Sequence, residues 1–433
     1  MQKKLLTMAV AGALAAPALA LAQNATEVYG TVNMAFGQFR YGEGTGTQTN
    51  DGATAAATQA SVSKLDVSSG ASNYGIRSRE NLGGGMAAWI QIENGVSMAR
   101  SNDGSVSGAT RNSAIGMQGG FGNVFIGQWT TPWSDLDALW GIGTVGYWGP
   151  VTSIIGRREN TGSSPNYGCT NLGRGVPGAN CNDLESVGGV GHAFWRRFSN
   201  AVFYQSPVMA GVQVKLAYQT NDGKTTGNLS TNADASAWST SVQWAGMGGR
   251  ARVGAAYDRH KDWTSIGGSD TGYRITGGWN FGVIDVGLAY ETMKYKCVGN
   301  QPGTTSPGQF AAGCAEDGDI KAKQYGVALA VPVGPGSIRA SYSVAKDLEG
   351  PVTATAGVTG SHVSDTGAKQ YNIGYEHRFS KRTNVGIGYA KIDNKANAAF
   401  TWSGAPANQT GASLTPLFGS DVSTFFVSMT HRF

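Results

Sequence analysis

The sequence of 433 residues predicts an all-β fold, a sixteen-stranded antiparallel β-barrel that crosses a membrane. Segments of about ten residues with apolar side chains at every second position recur almost from end to end, as expected of strands with one face in lipid. Short links between these segments alternate with long polar links, which is the arrangement of outer-membrane barrels. The segments number about sixteen, and an even number returns the C-terminus to the side of the N-terminus.

Composition and the placement of aromatic residues favour this fold over a soluble one. The chain contains 65 glycines, and charged residues make up 14 % of it, whereas a soluble domain carries about 25 %. A closed barrel also pairs its backbone N–H and C=O groups within lipid, because closure removes the unpaired edges of an open sheet. The alternative is a soluble β-sandwich or propeller, but aromatic residues cluster at strand ends of the apolar face, where interfacial girdles belong. They are Tyr218, Trp238, Trp244, Tyr257, Tyr273, Trp279 and Tyr290.

The N-terminus predicts a secretory signal peptide over residues 1–22, cleaved after Ala22. Two lysines form a basic start, an apolar run rich in Ala and Leu follows from Leu5 to Leu19, and small residues mark the cleavage point. A transmembrane anchor is the alternative, but the run is shorter than the ~20 residues of a spanning helix. No later stretch approaches ~18 uninterrupted apolar residues. Residues 23–433 are therefore expected to form the barrel domain.

The alternation of apolar and polar residues contains one shift near the start of the barrel. Val28 and Phe36 mark the apolar face of the first strand. In the next strand the apolar set moves from odd positions, ending at Val67, to Tyr74, which predicts a bulge at Gly70. Short links are expected near residues 81–85, 119–120, 206–211, 245–249, 281–282, 331–336 and 379–382. Long polar links are expected near residues 42–60, 99–109, 129–191, 220–235, 260–270, 296–320, 347–366 and 394–420.

The longest link, residues 129–191, is predicted to be a constriction loop. It separates two strand-like segments, and in a closed barrel a loop of this length can fill the lumen. It combines aromatic and charged residues: Trp129, Trp133, Trp140, Trp148, Asp135, Asp137, Arg157, Arg158 and Glu159. We consider two roles for Trp129, Trp133 and Trp140. They form a contact strip for a sugar or aromatic solute, or they pack the loop against the barrel wall.

The four cysteines form two pairs that are close in sequence. Cys169 and Cys181 lie in the longest link, and Cys297 and Cys314 lie in a later one. Their proximity predicts two local disulfides in an oxidising compartment, Cys169 with Cys181 and Cys297 with Cys314.

The strand face opposite the apolar one is expected to line a water-filled lumen, and its charges are mostly basic. The basic residues are Arg77, Arg79, Arg197, Lys215, Arg250, Arg252, Arg274, Arg339, Arg378 and Arg432. The acids are Glu27, Glu93, Asp258, Asp285, Glu291 and Glu376. Excess positive charge in a narrow passage of low dielectric favours anions. In the alternative interpretation, these arginines pair with the acids and with backbone carbonyls and stabilise the wall.

Other classes of function find little support. The formal charge of +5 could indicate nucleic acid binding, but the sequence lacks a basic cluster interleaved with aromatic residues. No Gly-x-Ser-x-Gly segment is present, and the five histidines are scattered without metal-ligand spacing. We therefore expect no enzyme activity, no catalytic residue, no metal and no cofactor.

Several short motifs, in order along the chain, carry a resemblance to a known family. They are residues 27–30, 74–77, 80–85, 121–124, 199–207 and 367–371, followed by the terminal His431-Arg432-Phe433. Together they resemble the general trimeric porins of Gram-negative outer membranes, in the sixteen-stranded, anion-preferring subgroup. The resemblance covers essentially the whole mature chain.

The resemblance implies a function and a set of site residues. The barrel would let small hydrophilic solutes and ions diffuse through the outer membrane, with a preference for anions, and it would assemble as a homotrimer in lipid. The third long loop would fold into the pore and place two acids opposite a ladder of arginines on the wall. By position, these are Asp135 and Asp137 opposite Arg77, Arg111 and Arg197. Phe433 resembles the family's signal for the outer-membrane assembly machinery.

Two further hypotheses stay open beside the general diffusion channel. One is a solute-selective binding channel that uses the Trp-containing constriction loop. The other is a surface barrel whose lumen is plugged.

Overall fold

The computed structural model describes residues 25–45, 58–96, 98–99, 111–152, 154–155, 194–195, 197–220, 236–261, 268–297, 318–350, 364–396, 398, 400–402 and 419–433. In this part of the chain, sixteen antiparallel strands form one closed wall. They are β1 (Ala25–Tyr41), β2 in two parts, β2a (Val62–Ser69) and β2b (Asn73–Gly83), β3 (Met86–Gly95), β4 (Ser113–Gly119), β5 (Gly122–Thr130), β6 (Arg197–Gln205), β7 (Val212–Gln219), β8 (Ser236–Gly246), β9 (Ala251–Lys261), β10 (Ser269–Asn280), β11 (Asp285–Cys297), β12 (Gly318–Val333), β13 (Gly336–Ala345), β14 (Ala368–Arg378), β15 (Thr383–Asn394) and β16 (Val422–Arg432). Each strand pairs with its neighbours in the chain, and β16 pairs with β1. The predicted sixteen-stranded antiparallel barrel is confirmed.

The connections differ between the two ends of the barrel. At one end, strands are joined by two to six residues, and we call this end the short-turn mouth. At the other end, the long-loop mouth, the connections are longer, and the first contains a small hairpin of Gly44–Thr45 with Thr58–Gln59. In outer-membrane barrels the short turns face the periplasm and the long loops face the exterior. No helix in the described ranges is long and apolar enough to cross a membrane.

The predicted bulge lies between β2a and β2b. Ser69 pairs with Met34 and Asn73 pairs with Thr31, so three residues of β2 face two residues of β1. The hydroxyl of Ser72 accepts a hydrogen bond from the backbone of Asn33 and donates one to its carbonyl, which satisfies the interrupted ladder. The extra residue moves the apolar side chains from odd to even positions, as the sequence predicts.

The outward face of the wall is apolar. Val28 and Phe36 are exposed on β1, and Ile275 and Leu288 are exposed on β10 and β11. The predicted aromatic residues Trp238, Tyr273, Trp279 and Tyr290 are also exposed. The alternating residues on the same strands are mostly small or polar, and the large exceptions, such as Phe39 and Met293, are buried inside the barrel. This is expected when lipid and the barrel interior meet opposite faces.

The hydrophobic core lies inside the barrel, between the wall and residues that follow β5. We call residues 131–152 and 154–155 the inner segment. One buried cluster combines Trp133, Leu136 and Leu139 with small wall residues such as Ala217 and Ala256. A second cluster combines Trp140, Val145, Trp148, Ile154 and Ile155 with wall residues that include Phe39, Ala328, Ala390 and Phe426. The inner segment therefore packs against inward-facing side chains over a large part of the circumference.

Candidate functional site in the barrel lumen

The inner segment begins with a short helix, and the residues at the start of this helix explain why it begins there. Thr131 caps the helix Pro132–Asp135, because its side-chain oxygen accepts a hydrogen bond from the backbone N–H of Ser134 at 3.3 Å. Proline follows at the first helical position, where its missing N–H costs nothing. Two turns of 3-10 helix, Leu136–Leu139 and Gly141–Gly143, continue the segment along the wall.

Three arginines of the wall hold the backbone of the inner segment. Each donates a hydrogen bond to a carbonyl oxygen: Arg274 to Trp133 (3.0 Å), Arg252 to Leu139 (2.6 Å) and Arg339 to Thr144 (2.9 Å). Each also meets a wall carboxylate: Arg274 with Glu291 (3.4 Å), Arg252 with Asp285 (2.7 Å) and Arg339 with Glu376 (3.0 Å). The contacts of these three arginines agree with the alternative interpretation of the sequence, in which arginines pair with acids and backbone carbonyls and stabilise the wall.

Amide side chains and glycines complete the fit between segment and wall. Asn372 and Gln370 of β14 donate hydrogen bonds to the carbonyl oxygens of Gly143 and Gly149, at 2.7 and 2.8 Å. Gly287 of β11 lies directly beneath the backbone of Trp140, where a Cβ atom would collide. Uncharged groups, together with Arg339, therefore hold the middle of the segment against the wall.

The two predicted loop acids contact wall cations other than the predicted ones. Asp135 accepts a hydrogen bond from Nζ of Lys215 at 2.8 Å. Asp137 pairs with Arg274 and accepts a hydrogen bond from Nε1 of Trp195 at 2.5 Å. Both carboxylates face the inner side of the wall, where their cationic partners are Lys215 and Arg274 rather than the proposed arginine ladder. Which wall residues a loop contacts depends on tertiary packing. The periodicity of the sequence does not contain this information.

The three predicted ladder arginines lie on different elements. Arg77 is on β2b, Arg111 is at the end of the connection between β3 and β4, and Arg197 begins β6. Arg77 forms an ion pair with Glu27 near the short-turn mouth. Arg111 donates to Oε1 of Glu93 at 2.6 Å. Arg197 donates to Oδ1 of Asn112 at 2.7 Å. The sequence left the orientation of Arg111 open, and its contact with the inward-facing Glu93 orients it toward the lumen.

A tyrosine links two of these ion pairs. The hydroxyl of Tyr29 donates to Oε2 of Glu93 at 3.0 Å, and the guanidinium of Arg77 lies 5.0 Å from the centroid of the Tyr29 ring. Arg77 and Arg111 therefore belong to one connected polar network on the inner face. The motif at residues 27–30 contains this tyrosine, and its alternation with Val28 places it on this face, but the sequence did not predict that it joins the two ion pairs.

The three predicted loop tryptophans occupy two different environments. Trp133 and Trp140 are fully buried between the inner segment and the wall, so they pack the segment and offer no surface to a solute. Trp129 is partly buried, and its ring centroid lies 5.7 Å from that of Trp89 and 5.2 Å from that of Phe125. Trp89 donates from Nε1 to Asn123 at 2.8 Å. This inner-face aromatic cluster was not predicted, although Trp89 alternates with the exposed Ile90.

Some predictions concern residues that lie outside the described ranges. These are the signal peptide, the loop residues Arg157, Arg158 and Glu159, and the cysteines Cys169, Cys181 and Cys314. Cys297 ends β11, but its side chain is not described. Both disulfides stay predictions. Within the described ranges, no group of three or more His, Cys, Asp or Glu residues is arranged to hold a metal ion.

Comparison with known proteins identifies relatives over nearly the whole chain. A family model described as Gram-negative porin matches residues 7–397. Outer membrane porin protein 32 of Delftia acidovorans is 26 % identical over 91 % of this chain and 90 % of its own length. An outer membrane porin protein of Bordetella pertussis is 24 % identical over 76 % of this chain and 78 % of its own. The solved anion-selective porin from Comamonas acidovorans has a TM-score of 0.62 at 22 % identity, covering 95 % of this chain and 100 % of that one.

Proposed function

The chain belongs to the Gram-negative porin family, and we propose that it forms a water-filled channel for passive diffusion of small hydrophilic solutes and ions across the outer membrane. The observation that carries this proposal is the closed sixteen-stranded wall with an apolar outer face and a charged inner face. Such a wall crosses lipid with its backbone groups paired and surrounds a polar interior.

We propose that the channel prefers anions. The sequence pattern assigns ten basic residues and six acids to the inner face, and of the ten, Arg250 lies in an exposed turn. The remaining excess of positive charge favours negative ions in a passage of low dielectric. The structural relative from Comamonas acidovorans carries the description anion-selective, which agrees with this sign. Several wall arginines are neutralised by carboxylates, so the preference rests on those that are not.

We further propose that residues 129–191 form the constriction loop, of which the inner segment is the described part. Asp135 and Asp137 would face the water column from the loop, and Arg77, Arg111 and Arg197 would face it from the wall. The contacts of the inner segment with Lys215 and Arg274 on β7 and β10 support the placement of the loop inside the barrel. Charges in a constriction act directly on passing ions, because few screening ions fit there.

The aromatic cluster on the inner face supports a second candidate function, a solute-selective binding channel. Trp129 and Trp89 are only partly buried, and rings of this size offer a flat apolar contact for a sugar or aromatic solute. In this version Trp129, not Trp133 or Trp140, would touch the solute. Saturable block of the current by one solute would favour this candidate over a general channel.

We also propose assembly features from the family resemblance. The channel would be a homotrimer embedded in outer-membrane lipid, and Phe433 would be read by the outer-membrane assembly machinery. The exposed position of Phe433 at the short-turn end of β16 suits such recognition. No nucleic acid partner, cofactor or enzymatic activity is part of the proposal.

Planar-bilayer recording tests the proposed channel. Purified protein should insert in discrete current steps, and the conductance should rise almost linearly with salt concentration, as in a wide water-filled pore. Folded protein that inserts into the bilayer and gives no current would instead support a plugged barrel. Conductance that saturates with one solute would identify the solute-selective channel.

A further inference from the structure

In the described ranges, the charged residues of the two mouths differ in how they are paired. At the long-loop mouth, lysines pair with acids: Lys323 with Glu349 and Lys395 with Asp347, both at 2.7 Å. The hydrogen bond from Lys323 holds the pKa of Glu349 below its ordinary value. At the short-turn mouth, exposed basic residues outnumber acids in the described ranges. They are Arg79, Arg250, Arg378, Lys381, Arg382 and Arg432.

Three of these arginines lie close together, at the end of β14, in the turn before β15 and at the end of β16. Arg378 is opposite Asn384, and Asn384 is opposite Thr430, two residues before Arg432 on the same face. Strands are spaced about 4.8 Å apart and residues about 3.4 Å along a strand, so both guanidinium groups can reach one small ligand. The backbone N–H of Arg432 also bonds to the carbonyl oxygen of Arg382 at 2.9 Å, which brings the turn into the group. We call Arg378, Arg382 and Arg432 the mouth cluster.

The acids near the mouth cluster are already occupied. Glu376 binds Arg339 at 3.0 Å, and Arg378 and Arg432 lie close enough to Arg339 for their charges to repel it. The C-terminal carboxylate of Phe433 is the other anion at this edge, and its oxygen accepts a hydrogen bond from the N–H of Gly30. In the described part of the chain, the guanidinium groups of the cluster have neither an ion pair nor a hydrogen bond. Five cations, counting Arg339 and Lys381, thus face two carboxylates.

We infer that the mouth cluster is a binding site for small polyvalent anions that carry carboxylate or phosphate groups. Each guanidinium presents a planar fork of N–H donors that matches such oxyanions, and two forks on one face can hold a ligand with two charged ends. The inward-facing amide of Asn384, between the two arginines, adds a polar contact. This inference rests on the proposed channel function and names a solute class for it. A monovalent anion would be attracted by the same field but would engage only one fork.

The site would act on the side of the short turns, which faces the periplasm in barrels of this kind. Positive charge around a mouth raises the local concentration of counter-ions, and the effect falls off within about 8 Å at physiological salt. A polyvalent anion held there would therefore enter or leave the channel from a concentrated pool. It would also obstruct the flow of chloride while bound.

Side-specific block of oriented channels in a planar bilayer tests the inference. Citrate is the polyvalent probe and acetate the monovalent one, each added to one side in dilute potassium chloride. Citrate on the short-turn side should reduce the chloride current at a concentration at least tenfold below that needed on the other side or with acetate. The variant Arg378→Gln with Arg432→Gln should raise the blocking concentration about tenfold. Arg378→Gln alone should raise it severalfold, which covers the case in which the double variant fails to fold.

Matched variants separate a binding site from a diffuse charge effect. Arg250→Gln also removes one exposed positive charge from the short-turn mouth, but Arg250 lies in the turn between β8 and β9, outside the cluster. It should leave citrate block unchanged, as should Lys323→Gln with Glu349→Gln at the long-loop mouth. Equal effects of Arg378→Gln and Arg250→Gln, or equal block from both sides, would overturn the inference. Chloride current in the same recordings keeps this outcome distinct from failure of the channel itself, which would show as no current at all.

Discussion

The Nε atom of Arg252 lies 2.6 Å from the backbone carbonyl oxygen of Leu139, so a buried side chain of β9 holds the inner segment against the wall. The same guanidinium binds Asp285 of β11 at 2.7 Å through Nη2. One arginine therefore joins two wall strands and the inner segment. Arg274 and Arg339 repeat this arrangement at neighbouring positions.

Replacing Arg252 tests the anchoring role. Arg252→Met keeps most of the volume but leaves Asp285 as a buried charge without its partner, which should cost about 3 kcal/mol of unfolding free energy. The urea midpoint of protein folded into lipid vesicles should fall, and open-channel noise should rise because the segment is held less firmly. The double variant Arg252→Met with Asp285→Leu should recover much of the stability. An unchanged midpoint in the single variant would show that the contact contributes little.

A methyl group beneath the inner segment should displace it. In Gly287→Ala, the new Cβ would collide with the backbone of Trp140, and relief requires the segment to move at a cost of about 1–3 kcal/mol. Single-channel conductance should change, since the segment lies in the lumen. Gly120→Ala is the matched control, because a Cβ at that turn meets nothing within 4 Å. Equal conductance in the two variants would argue against close packing at Gly287.

The wall could be predicted from the sequence because lipid and the barrel interior impose a period of two on every strand. The same rule located the bulge at Gly70, since one extra residue reverses the parity between Val67 and Tyr74. The period assigns a side chain to a face but does not identify its partner. It therefore placed Arg252 and Arg274 in the lumen without showing that they bind the inner segment.

The inner segment shows where sequence reasoning stops. Its acids were matched to Arg77, Arg111 and Arg197 by position, whereas their contacts are with Lys215 and Arg274. Its tryptophans were open to two interpretations, and burial of Trp133 and Trp140 decides for packing. Both outcomes depend on how a non-periodic segment docks on a curved wall, which composition and spacing do not encode.

Removing two arginines of the proposed ladder should change ion selectivity. Arg111→Ser leaves the carboxylate of Glu93 without its 2.6 Å partner, and Arg197→Ser removes a positive charge beside Asn112. The double variant should therefore shift the reversal potential toward cations while raising conductance only modestly. Arg250→Ser, at an exposed turn where charges are screened, serves as the control. If the reversal potential of the double variant equals that of the unmodified protein, these arginines have only a structural role.

Deleting Phe433 should impair assembly. Its N–H and a terminal carboxylate oxygen both pair with Gly30 at 3.1 Å, and its ring lies beside that glycine. The deletion therefore leaves Gly30 unpaired at the short-turn end of the seam between β16 and β1. An unpaired strand edge is costly in lipid. We expect much less heat-modifiable protein in the outer membrane, whereas Phe433→Tyr should assemble well. Normal amounts of folded protein after deletion would contradict the role assigned to this residue.

The reversal potential of the unmodified protein tests the proposed preference for anions. With a tenfold gradient of dilute potassium chloride across a planar bilayer, an excess of positive charge in the lumen should draw the reversal potential toward the equilibrium potential of chloride. We predict this sign, with a smaller magnitude at high salt because screening shortens the reach of the wall charges. A reversal potential on the potassium side in dilute salt would contradict the proposal that this porin prefers anions.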